Sequence, residues 1–95
     1  MSYPDQKFYE AIISMAMSPK SLQERLGAAF ANHLIVLEAG ELPADIQMKF
    51  QIFRDRMMRD GPITATITGM SLEEAVELAR DLDYMASAVR GAAIE

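Results

Sequence analysis

His33 is the only histidine in the chain, and it is the side chain best placed by type to do acid–base or metal chemistry near neutral pH. It stands four residues from Ala29 and Leu37 and three from Phe30 and Val36, on the apolar stripe of what reads as a helix. No carboxylate lies three or four positions away, so the Glu-x-x-His spacing of carboxylate-bridged metal bundles is missing. His33 is therefore expected to be a packed residue with one hydrogen-bonded nitrogen.

Glu74, Glu77 and Asp81 share one face of a second helical pattern, where paired carboxylates can hold a hard cation or divide acid and base roles. Nothing apolar beside them in sequence would raise a carboxylate pKa, and the Asp-rich loop of a calcium site does not occur, so a solvated acidic face is expected. Lys49, Arg54, Arg56 and Arg59 form the most basic stretch, the usual mark of a groove-binding helix. Residues 41–60 also carry Glu41, Asp45, Asp55 and Asp60, which makes that stretch neutral. Asp45 with Lys49 and Asp55 with Arg59 have the acid-first i,i+4 order, so intrahelical ion pairs are expected, with docking of an acidic partner as the alternative.

No serine sits in a G-x-S-x-G elbow, and the P-loop, dinucleotide and zincin spacings do not occur. The absence of cysteine removes disulfides, thiolate metal sites and a thiol nucleophile. Of eight methionines, Met15 and Met57 fall on core stripes, and ordinary core filling outweighs a methionine-lined pocket. The expectation is a chain without catalytic residues, cofactor, metal or small-molecule ligand.

The elements that position these side chains are read from helix punctuation. With 95 residues, 51% of them hydrophobic and 24% charged, the chain has the composition of one folded domain rather than of a disordered segment. A first helix is expected over about 4–17, with Phe8, Ile12, Met15 and Ala16 inward; Ser18-Pro19 ends it and starts a second, over 19–39. Leu22, Leu26, Ala29, Phe30, His33 and Leu37 form the stripe of this second helix, and Gly40 is its left-handed stop. A third helix over 43–59 begins at Pro43, buries Ile46, Phe50, Phe53 and Met57, and breaks at Asp60-Gly61-Pro62. The fourth, over 72–90, has a capping box at Ser71-Leu72-Glu73-Glu74, a stripe of Leu72, Ala75, Val76, Ala79, Leu82, Ala86 and Val89, and Gly91 as stop. Ile63, Ala65 and Ile67 alternate with threonines as a strand would, but a lone strand lacks a partner, so residues 62–70 are expected as a short helical turn or ordered loop, with Pro62 at its first position and Gly69 just past its end. The fold class is all-α: a small antiparallel four-helix bundle, residues 1–95 in one domain, with Phe30, Phe50 and Phe53 buried.

Net charge is −5, and residues 61–95 supply −4 of it through six acids against Arg80 and Arg90, which opposes contact with nucleic-acid phosphates. Residues 1–10 lack the basic-then-apolar order of a leader, and no run of about 18 apolar residues occurs, so no membrane contact and a cytoplasmic location are expected. The apolar misfits are more informative. At about 100° per residue, Met48 and Ile52 point away from the third helix's core face, and Ile35 and Tyr84 lie opposite the stripes of their own helices. The expected interaction surface is Met48, Ile52, Ile35, Tyr84, Lys49, Arg56 and Arg59, with Lys49 and Asp55 or Arg59 as polar rim, covered by a second copy or another protein. The leading functional expectation is a non-enzymatic, acidic protein–protein interaction or regulatory module, most simply a homodimer. Two alternatives stand beside it: a small-ligand or enzymatic protein with a pocket near His33 and Tyr9, Tyr84 or a methionine, and a nucleic-acid-binding regulator using the third helix and a helix-turn-helix around Gly61–Ser71.

Overall fold

A computed structural model describes residues 2–94, with side chains through residue 92. It is all helical, with no strand among the described residues: α1 spans Tyr3–Met17, α2 Leu22–Ala29, α3 Gln47–Met57, α4 Ile63–Thr68 and α5 Leu72–Ile94. A π-helical turn, Phe30–Leu34, extends α2, and two 3₁₀ turns, Ala39–Glu41 and Ala44–Ile46, lead into α3. The expected helical bundle is thus present, with the ambiguous threonine-rich segment forming a fifth helix. No described helix is long and apolar enough to cross a membrane.

Helix α1 starts where Ser2 accepts a hydrogen bond from the Asp5 amide, and it buries Phe8 and Ala11. Helix α2 starts three residues later than the proline suggested. The Ser21 hydroxyl accepts from the Glu24 amide at 3.2 Å and donates to the Glu24 carboxylate at 3.0 Å, a serine-glutamate cap that outcompetes Pro19 as the start. The expected run to Ala39 also stops early. The Ile35 amide donates to the Phe30 carbonyl at 2.8 Å, and this wider turn delays the rotation of the chain. Arg54 then donates to the carbonyls of Ile35 and Leu37 at 3.1 and 3.2 Å. That guanidinium, rather than a left-handed Gly40, satisfies the end of the helix; among the described residues only Gly61, at φ 86°, has positive φ.

Pro43 is extended and Ala44–Ile46 is 3₁₀, so α3 begins at Gln47 rather than at Pro43. Pro62 caps α4 rather than occupying its first turn, and Gly69 keeps negative φ. The helical choice for this segment follows from packing: Ile63 and Ile67, one turn apart, meet Gly27 on α2, where an added Cβ would lie 3.0 Å from Ile67 Cγ2. Buried Thr66 accepts from the Asp60 amide at 3.1 Å and so ties the α3–α4 turn to α4.

Ser71 caps α5, accepting from the Glu74 amide at 3.1 Å. Gly91 does not take positive φ, and the helix passes it and continues to Ile94. Its fully inward residues are Ala75, Leu78, Leu82, Met85 and Val89, so the stripe is rotated from the expected one; Val76, Ala79 and Ala86 are half-buried and Leu72 is 61% exposed. Helix α5 packs on α1, α2 and α3, and α4 bridges α2 and α3. Phe8 meets Phe50 edge-on at 6.2 Å between centroids, and Phe30 tilts against Phe53 at the same distance. Phe30, Phe50 and Phe53 are all buried, as their spacing predicts.

Candidate interaction surface

The helical period of α3 turns Lys49 and Arg56 toward α5, and the period of α5 returns Glu74, Glu77 and Asp81 toward α3. The two sets meet. Arg56 Nη2 lies 3.1 Å from Glu74 Oε2 and 3.3 Å from Glu77 Oε2, Arg59 Nη1 lies 3.1 Å from Glu74 Oε2, and Lys49 Nζ lies 3.3 Å from Asp81 Oδ1. Lys49 also stands 5.2 Å above the Tyr84 ring, a cation–π contact. Glu74 is the centre of this seam, its side chain only 18% exposed. Burial alone would raise its pKa, but hydrogen bonds from Arg56 and Arg59, with their charges, outweigh that and hold it below the ordinary glutamate value. Burial pulls the Arg56 pKa down, and its bonds to Glu74 and Glu77 more than restore it.

Two sequence readings are corrected by this seam. The acidic face of α5 is not simply solvated, because Lys49 and Arg56 of α3 and Arg59 of the turn that follows lie on it. The expected i,i+4 pairs are not made either: Lys49 turns to Asp81, and Arg59 turns to Glu74 and Asp60. Bidentate and shared contacts to a half-buried carboxylate win over exposed intrahelical pairs, which contribute only about 0.3–0.5 kcal/mol. Among the described residues, Asp45 and Asp55 are left with no lysine or arginine partner, and Asp55 accepts only from Gln51 Nε2 at 3.0 Å.

Of the residues singled out from sequence, Lys49, Arg56, Arg59 and Tyr84 come together at the seam, and Met48 and Ile52 lie beside it on the outer face of α3. Met48 is 77% and Ile52 52% exposed, one turn apart on the same face. Ile35 does not join them. The π turn brings it inward, where it is half-buried against the core, because an ideal α-helical rotation no longer applies after Phe30.

His33 is half-buried, and its Nδ1 lies 3.4 Å from Glu10 Oε2 on α1, a partner invisible to any local spacing rule. Lys7 lies 3.7 Å from the same carboxylate group. Sequence reading also missed the outer face of α1, where Tyr9, Ile13 and Met17 are exposed. Their i,i+4,i+8 spacing was the available signal. Beside them, between α1 and α5, a cleft of about 210 Å³ is lined by Asp5, Tyr9, Asp83 and Arg90, with Arg90 Nε 3.8 Å from Asp5 and its guanidinium over the Tyr9 ring. Among the described residues no group of three histidines or carboxylates is arranged to hold a metal ion. No family model, characterised protein or solved structure matches this chain significantly.

Proposed function

We propose that this chain is a non-enzymatic helical interaction module that works in the cytoplasm and meets its protein partner through the outer face of α3. The observation that carries this reading is the exposure of Met48 and Ile52 side by side on a helix whose other apolar residues, Phe50, Phe53 and Met57, are buried. Apolar area left in water forgoes about 25 cal/mol per Å², and a partner recovers it. The flanking Lys49, Arg56, Arg59, Asp45 and Asp55 supply a polar rim of both signs, as protein interfaces use. The net charge of −5 argues against phosphate as the partner's chemistry. The pairing of His33 with Glu10 gives the histidine a structural role between α1 and the π turn.

The test is the size of the tagged protein in native lysate by gel filtration. Wild type is expected to elute well above its 10.6 kDa monomer mass, and the Met48→Lys, Ile52→Lys variant at the monomer position. Wild type eluting as a free monomer, with a variant indistinguishable from it, would overturn the reading.

A further inference from the structure

Resting on the reading of α3 as a contact surface, we infer that its occupant is a second copy of this chain, packed antiparallel across a two-fold axis that passes through Ile52. The inference comes from the charges that the α3–α5 seam leaves over. From the 3₁₀ turn before α3, along its outer line and into the turn after it, the order is Asp45, Met48, Ile52, Asp55, Arg59, and the two acids have no cationic partner among the described residues. An interface made from one patch meeting itself must be self-complementary about its axis. With the axis at Ile52, Asp45 faces Arg59 of the second copy, Asp55 faces Lys49, and Met48 lies along the aliphatic stem of Arg56. Each relation occurs twice. Both unpaired acids thereby gain a base.

The bases remain open to such sharing. Lys49 is 40% and Arg59 45% exposed despite their bonds to α5, so each can accept a second carboxylate from the solvent side. The best apolar alternative shifts the axis to Phe50, which sets Met48 against Ile52 of the second copy but also brings Asp45 against Asp55. Two like charges meeting twice oppose that register. A parallel pairing brings Asp45 against Asp45. The charge order thus selects one register where the apolar pair alone would choose another. Helices crossing at about 20° stay close enough over two turns for the outer Asp45–Arg59 pairs to form.

The absence of cysteine makes the register directly readable. Helix axes about 8–10 Å apart, with Cα atoms about 2.3 Å from each axis, bring the two residue-52 Cα atoms within disulfide range. Met48 is four residues from the axis, so at about 1.5 Å per residue its two copies stand about 12 Å apart along the helices, beyond bridging. Purified Ile52→Cys is expected to oxidise to a covalent dimer at least ten times faster than Met48→Cys. Equal rates for the two, with fast cross-linking of their mixture, would place the axis at Phe50 and overturn the inference.

Sedimentation equilibrium of the cysteine-free protein supplies the second arm. A dimer that weakens in high salt, and that Asp45→Lys, Asp55→Lys abolishes while the circular dichroism spectrum is unchanged, supports the pairing. A purified monomer at hundreds of micromolar overturns the second copy as occupant. A larger species in lysate that still depends on Met48 and Ile52 would then leave the contact-surface reading standing with a different protein.

Discussion

Helices α1 and α3 both rest on α5 and both present apolar residues outward, but their charges are settled differently. On α1, Asp5 lies near Arg90, and Glu10 is shared by His33 and Lys7. Its exposed residues, Tyr9, Ile13 and Met17, therefore sit among carboxylates that already have partners. On α3, the bases lean inward to Glu74, Glu77 and Asp81, and the acids at 45 and 55 are left outside. Beside the apolar surface of α1, Asp5 and Glu10 are paired and Asp83 lies in the cleft next to Tyr9, whereas that of α3 is bracketed by acids and bases in a definite order. Exposed hydrophobes alone are common on monomeric proteins; what distinguishes the α3 face is the order of acids and bases on either side of the apolar pair.

The largest expected effects test what the two faces share. Phe8 under α1 and Phe50 under α3 touch edge to edge, so Phe8→Ala and Phe50→Ala should each lower stability by about 3–5 kcal/mol in urea titrations. Because both replacements empty the same contact, the double variant should lose clearly less than the sum. An additive result would separate the two faces structurally and weaken the comparison.

A smaller effect distinguishes the charge clusters. Glu74 receives two arginines, so Glu74→Gln should cost about 1 kcal/mol at pH 7, discounted for its partly exposed partners. The pH dependence has a definite sign. A carboxylate whose pKa is held down in the folded state adds stability that is full above its unfolded value, about 4.3, and is lost as the pH falls through the folded value. The gap between wild type and Glu74→Gln should therefore close below about pH 4, and a gap that stays constant down to pH 2 would mean that the ion pairs contribute nothing.

Glu10→Gln, at the more solvated cluster beneath α1, should change stability by less than about 0.5 kcal/mol. Equal costs at positions 10 and 74 would remove the electrostatic distinction between the faces. The smallest effect is expected from Ile13→Lys, Met17→Lys on the outer side of α1: stability within about 0.5 kcal/mol and an unchanged sedimentation profile. If this variant disrupts association instead of Met48→Lys, Ile52→Lys, the contact surface belongs to α1.

What local rules decide was legible from the chain. Hydrophobic period and capping residues set the all-α class, the identity of α1 and α3, the Ser71 start of α5 and the burial of Phe30, Phe50 and Phe53, because each depends on residues within one or two turns. The outward placement of Met48 and Ile52 followed from the same period. Where the reading failed, a distant group had intervened. Arg54 closes the helix that Gly40 was expected to stop, and the π turn draws Ile35 half into the core. The pairing of charges was least accessible of all. Spacing offers Lys49 the carboxylate of Asp45 one turn away, and only the packing of α3 on α5 brings Asp81 to 3.3 Å, because ion pairing depends on separation and burial in space, which sequence distance does not measure.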